Sequence, residues 1–193
     1  MFRSLHMKLV LIMLLLITSL MTIVGAFLMT SITGFFIDDF YQQVDAVFGS
    51  SNASFVNNLR SMAAQEDGLE DLQSAIEANA APLGSDYRNR NYYILDGETG
   101  EFLASSADNT EIPYLTATPN LITARTSIAQ GTDEVGDSSD ITASYMDVAI
   151  PITGGGNSYI IYIYDNRGTV SDLNSQMFLI IVQALLVGLL ISV

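Results

Sequence analysis

Apolar residues follow three different rhythms along this chain. From Leu9 to Ile37, and again from Leu173 to Val193, they run without any Asp, Glu, Lys or Arg. About twenty such residues carry a helix across the hydrocarbon core of a bilayer, where a helix satisfies its own backbone polar groups. This pattern predicts a short tail at 1–8, membrane helices at 9–34 and 173–193, and a folded domain at 35–172. The first run is longer than the apolar core of a signal peptide, and no small-residue cleavage site follows it, so an uncleaved anchor is expected. The second rhythm is helical. Phe36, Phe40, Val44, Val47, Phe48, Phe55, Leu59 and Met62 recur at intervals that share one helix face. The first apolar helix is therefore expected to continue as a long amphipathic helix, with a break near Gly49-Ser50-Ser51-Asn52. Its apolar face must bury against its own domain or a second copy of the chain. A further helix follows Gly68, with Leu69, Leu72, Ile76 and Ala80 on one side and Pro82 and Gly84 as stops.

The third rhythm is alternation. Tyr92 to Asp96 and Phe102 to Ser106 predict two strands joined by the Gly97–Gly100 turn, a hairpin. Thr118-Pro119 matches an N-cap with Pro at the first helical position, so a short helix is expected over 120–130. An acidic loop spans 131–140. From Ala143 to Ile152, Met146, Val148, Ile150 and Ile152 take one strand face while Tyr145, Asp147 and Ala149 take the other. Gly154–Asn157 is a turn, 158–164 a β-branched and aromatic strand, and Thr169 starts a helix running into the last apolar segment, with Asp172 near its N-terminus. The expected fold class is α+β: one antiparallel sheet with a long N-terminal helix, flanked by two transmembrane helices.

Charge then gives an orientation. The formal net charge is −14, and the 21 acidic residues all lie between Asp38 and Asp172 with only five basic ones, leaving that region at −16. Arg3 and Lys8 precede the first apolar run, and such residues favour a cytoplasmic N-terminus. The expected location is a bacterial cytoplasmic membrane, with two spans in contact with the lipid bilayer and the central domain outside. No nucleic-acid partner is expected of so acidic a domain. There is no Cys, which excludes disulfides and thiolate chemistry, and the one His, His6, lies in the tail, so no His-based metal site or catalytic triad fits the outer domain. The second run ends without a Lys or Arg anchor, so the chain is expected to be a fragment whose output domains follow Val193.

The strand–turn–strand from Tyr92 to Ser106 resembles the first hairpin of extracytoplasmic PAS-like, or single-Cache, sensor domains. The passage from Tyr162-Ile163-Tyr164-Asp165 to Leu173-Asn174-Ser175-Gln176-Met177-Phe178 resembles their exit into a second membrane helix. The opening Phe2-Arg3-Ser4-Leu5, then Lys8-Leu9-Val10, is similar to that of many sensor histidine kinases. In layout the whole chain looks like the input half of Gram-positive cell-wall-metabolism histidine kinases (WalK/VicK-type). The resemblance implies a two-component sensor that acts as a homodimer, with a HAMP linker, a phosphoacceptor-histidine helix, an ATP-binding kinase domain and a response regulator partner, none of them in this chain. His6 lacks the context of a phosphoacceptor, and Gly154-Gly155-Gly156 lies in a hairpin rather than before a helix, so no phosphate loop is expected. No cofactor is expected in this chain; ATP belongs to the implied kinase domain. Similar hairpins front chemoreceptors and diguanylate cyclases, which are the alternative outputs. A stand-alone two-span envelope adaptor is a third possibility, and an envelope enzyme relying on carboxylates the weakest.

For ligand binding, the resemblance implies a pocket between the sheet and its covering helices, and Arg88, Arg90, Tyr92, Arg125 and Tyr145 are its candidates. Arginine forks suit carboxylate or phosphate and tyrosines give an apolar body with a polar tip. The plainer alternative makes the arginines surface residues and the tyrosines core. Asp133, Glu134, Asp137 and Asp140 offer oxygen ligands for a hard cation such as calcium, but without the EF-hand pattern a solvated loop, and no metal, is expected. The charge of the domain also attracts cationic peptides or divalent ions within about 8–10 Å. The sequence leaves the stimulus open between an envelope ligand, a membrane protein and a mechanical change. The N-terminal helix and the Thr169–Val193 helix are the expected moving parts, with Gly168 as a hinge.

Overall fold

The computed structural model of the chain describes residues 5–85, 88–106 and 117–192. Part of the expected tail, part of the polar 85–91 segment and Val193 lie outside the described residues. The described chain forms two compact units, residues 5–36 with 168–192, and residues 37–167. Helix α1 covers Leu5–Phe48 and helix α5 covers Gly168–Ser192.

The first unit holds the uncharged portions of α1 and α5. Both helices are long and apolar enough to cross a membrane. Several of their polar side chains bond within the unit. Thr18, Thr22 and Thr30 donate their hydroxyls to the carbonyls of Leu14, Thr18 and Ala26, one turn back. Asn174 donates its amide to Thr33 Oγ1 at 3.3 Å. A Cβ on Gly25 would lie 2.6 Å from Ile181 Cδ1, so the glycine makes room for that side chain.

The second unit is α+β. After a 3-10 turn at Ser50–Asn52 come α2 (Ala53–Ala63), α3 (Gly68–Glu77), β1 (Arg90–Asp96), β2 (Phe102–Ser105), α4 (Pro119–Gln130), β3 (Met146–Gly154) and β4 (Asn157–Asp165). The break expected at Gly49–Asn52 is therefore present. The strands form one antiparallel sheet of order β2-β1-β4-β3. Neighbouring residues of each strand point to opposite faces. Tyr92, Ile94, Ile161, Ile163, Val148 and Ile150 pack with Phe40, Val44, Leu59, Leu72 and Ile76 from α1, α2 and α3. Tyr93, Leu95, Ile160, Tyr162 and Ala149 pack with Leu121 and Ala124 of α4. The amphipathic end of α1 thus buries its apolar face in its own domain.

Several boundaries differ from the sequence expectation. β1 starts at Arg90 rather than Tyr92, because Arg90 and Asn91 pair with Asp165 and Tyr164 of β4. β3 starts at Met146 rather than Ala143, because Asp140 draws Thr142 and Ala143 into a turn and the Arg167 guanidinium takes the Ala143 carbonyl. α3 ends at Glu77 and gives way to turns before Pro82. The acidic loop is exposed at all four of its carboxylates and is pinned to β3 at Gly136. Gly136 and Ala149 exchange both backbone hydrogen bonds, at 2.9 and 2.8 Å, and so cover the outer edge of β3.

The β3–β4 turn is clamped onto α2. Asn157 donates its amide to the Ala63 carbonyl at 2.9 Å, and a Cβ on Gly154 would run into the Arg60 carbonyl and lie 3.1 Å from Ala64 N. Gly131, the left-handed C-cap of α4, has open space around it. Gly154→Ala is expected to cost about 1–3 kcal/mol through overpacking, whereas Gly131→Ala costs only the backbone preference of roughly 1 kcal/mol. Thermal unfolding of the detergent-solubilised chain checks this, and equal losses would refute the steric account.

Candidate functional site

Of the residues nominated from the sequence, Arg90 and Tyr92 lie on the α1 face of the sheet. Arg90 is buried, and its Nε donates to Asp165 Oδ2 at 3.0 Å. Its Nη1 donates to the Leu83 carbonyl at 2.8 Å and to Gln43 Oε1, and the guanidinium carbon sits 4.8 Å from the Phe40 ring centroid. A buried charge is tolerated only when paired and hydrogen-bonded in this way. Tyr92 is buried as well, and its hydroxyl donates to Glu77 Oε1 at 2.8 Å. That bond, after one from Gln73, holds the Glu77 carboxyl below its ordinary range.

The other nominees lie elsewhere. Arg88 is exposed. Arg125, on α4, donates to the Glu98 carbonyl at 3.0 Å and lines a broad surface hollow of about 740 Å3 beside the β1–β2 turn. Tyr145 is half-buried and stacks on Tyr164 with ring centroids 5.7 Å apart. It ends a row of rings that continues through Tyr162 and Tyr93 to Phe102 on the α4 face. The five residues therefore do not surround one pocket. The acidic-loop residues are dispersed too. Asp133 pairs with Arg60 at 3.0 Å, and Asp140 accepts from the Thr142 amide and hydroxyl. Among the described residues no group of three potential ligands could hold a metal ion.

Two arrangements are not among the sequence expectations. The first is built around Asp147, a buried carboxylate on β3. Its Oδ2 accepts from Thr118 Oγ1 at 2.6 Å and from the Tyr162 hydroxyl at 3.0 Å, and its Oδ1 from Asn120 Nδ2 at 2.8 Å. Thr118 is also the N-cap of α4, accepting from the Leu121 amide at 3.2 Å. The positive end of α4 thus faces a carboxylate that, among the described residues, has no cation in ion-pair contact. Asn120 also accepts from the Ser138 amide at 2.9 Å, so the same network holds the acidic loop in place.

The second is a cleft of about 380 Å3 between α1 and the strap formed by Val135–Ser139. Its apolar floor includes Ile37, Val44, Phe48, Val148 and Ile150. Asp38 and Asp45, two turns apart on α1, and Asp137 on the strap form its rim, with Tyr41 between them. Among the described residues none of these three carboxylates accepts a side-chain hydrogen bond or forms an ion pair, and all three are exposed. The Tyr41 hydroxyl donates to the Ser138 carbonyl at 3.3 Å and the Asp147 carbonyl at 3.4 Å. Burial, then the negative charges of Asp147 and Asp137, push its phenol up to about 12. The signal for this cleft in the sequence was the seven-residue spacing of Asp38 and Asp45 beside the apolar face that carries Tyr41. No protein-family model matches this chain, and no curated protein or solved structure matches it either.

The Tyr41 phenol holds its proton more tightly folded than unfolded. Its contribution to stability is thus full below pH ~10, the ordinary tyrosine value, and is lost as pH rises through about 12. Phenolate difference absorbance between the wild type and Tyr41→Phe should isolate one group titrating near 12. Asp137→Asn should move that titration downward. A titration at the ordinary value would mean that Tyr41 is not enclosed in an anionic cleft.

Proposed function

We propose that this chain is the membrane-embedded input half of a bacterial two-component sensor histidine kinase, with its 37–167 domain outside the cytoplasmic membrane as a PAS-like, single-Cache module. The observation that carries this reading is the way the chain joins its two units. α1 remains helical from the uncharged stretch to Phe48, deep among the core residues of the domain, and only Asn166 and Arg167 separate β4 from α5. A rearrangement in the domain thus has two short covalent routes into apolar helices. The hairpin and antiparallel sheet are consistent with the single-Cache likeness, and Arg3 and Lys8 before the first apolar run support a cytoplasmic N-terminus.

Signalling on this scheme needs two packings of the domain and a stimulus that binds one better. A change from 1:99 to 99:1 takes roughly 5.5 kcal/mol of differential affinity. The joint at Arg167 suits such a transition. Arg167 adopts a left-handed backbone, φ 56°, and its amide donates to Asp165 Oδ1 at 2.7 Å. The other oxygen of the same carboxylate holds Arg90. On this reading Arg167 and the neighbouring Gly168 together form the hinge. The homodimer and the response regulator belong to the same proposal.

The absence of native cysteine makes topology directly measurable. Ala129→Cys, exposed on α4, should react with a membrane-impermeant maleimide in intact cells, and Ser4→Cys only after permeabilisation. The reverse pattern would reject the orientation. The functional test joins the chain to the transmitter half of a histidine kinase. Asp165→Asn is expected to change autophosphorylation at least threefold at equal membrane abundance. Output indifferent to this and to every other substitution in the domain would reject the sensor reading.

A further inference from the structure

The cleft beside α1 has a chemistry that selects its own ligand class. One wall is the α1 face carrying Ile37, Tyr41, Val44 and Phe48, and the opposite wall is the strap that the Gly136–Ala149 bridge and Asn120 hold in place. The Asp38 and Asp45 positions are separated by two turns, about 10 Å along the helix axis. That spacing does not suit a shared hard cation, which needs six to eight oxygens at close range. It does suit a cation whose apolar body lies along the floor. The size falls in the range of small-molecule pockets, apolar with a few placed polar groups.

We infer that this cleft binds a small organic cation with an apolar body, an aryl- or alkylamine, with its ammonium group at the rim that carries Asp38, Asp45 and Asp137 and its body against Val44, Phe48 and Ile150. Tyr41 lines the same cleft, and its phenol is raised by burial first and then by the charges of Asp147 and Asp137. Binding stands on the geometry alone. The further step, that the amine is a stimulus, rests on the sensor reading above.

The test uses the full chain in lipid nanodiscs and three probes of one shape, 2-phenylethylammonium, 2-phenylethanol and 3-phenylpropanoate, followed by calorimetry and by the Tyr41 resonance. Saturable binding is expected of the cation alone, weakened at least tenfold by the triple variant Asp38→Asn, Asp45→Asn, Asp137→Asn. A charge-matched control, Glu66→Gln, Asp67→Asn, Glu70→Gln, takes the same charge from exposed positions elsewhere and should leave the affinity within twofold. No saturable binding of the cation, equal binding of alcohol and cation, or equal weakening by both triple variants would each overturn the site. Full displacement by calcium would assign it to a metal instead, and binding of a lysine-rich amphipathic peptide without binding of the amine would assign it to a peptide; either overturns the inference. Binding without any change in the output of the kinase chimera would leave the site standing and count against the sensor reading.

Discussion

The carboxylate of Asp165 is the point on which the domain turns. One oxygen holds the buried guanidinium of Arg90, and the other holds the Arg167 amide in a left-handed conformation. The pairing of Arg90 with Asp165 also sets the first rung of the β1–β4 ladder, and β4 must be central for β3 to pack beside it. Once Arg90 is fixed there, its remaining donors reach Gln43 on α1 and the Leu83 carbonyl after α3, and Phe40 lies against its face. Removing one member of a buried pair costs about 3–5 kcal/mol, because the other is left charged in a dry place. That is comparable with the whole stability of many domains, about 5–15 kcal/mol. Three elements and the exit toward α5 therefore depend on one carboxylate.

Local periodicity made much of this fold legible. The two uncharged stretches, the helix broken at Gly49, the hairpin after Tyr92 and the Thr118-Pro119 cap are each written within a few residues of sequence, and each is present in the structure. The strand order was not legible. It depends on β1 finding β4 across most of the domain, and alternation records which residues share a face without naming the neighbouring strand. The acidic loop shows the same limit. Its composition resembles a solvated segment, yet Gly136 pairs with Ala149 and Asn120 accepts from Ser138, contacts fixed by α4 and β3 rather than by the loop itself.

The candidate site was less legible than the fold. Residue type alone favours arginine and tyrosine as ligand contacts, but type ignores register. Tyr92 and Tyr93 are adjacent in sequence and serve opposite cores. Arg90 is occupied by Asp165, whereas Arg125 lies over the β1–β2 turn on the α4 side. The carboxylates that do surround a cleft, Asp38, Asp45 and Asp137, come from a helix and a loop whose approach is set by the Asp147 network. Within the sequence, Asp147 is a lone acid in an apolar strand. That is a position where burial demands hydrogen bonds, and it was the one strong hint that polar groups gather at this end of the sheet.

A charge of −16 in the central region does not by itself select anything. An exposed carboxylate contributes about 0.2–1 kcal/mol to an ion pair, and salt screens it beyond about 8–10 Å. Every cation near the domain feels that attraction, so it raises encounter rates more than it discriminates. An apolar floor discriminates differently. Burying a phenyl-sized body contributes on the order of 2–3 kcal/mol at about 25 cal/mol per Å2, but to neutral and anionic ligands alike. Each contribution alone is consumed by the cost of immobilising a ligand. Only a molecule with both a positive head and an apolar body collects the two together, as where Asp38, Asp45 and Asp137 line the same cleft as Val44, Phe48 and Ile150. Selectivity on this surface thus comes from the coincidence of two nonspecific forces within one cleft, which the folding of the strap onto β3 creates.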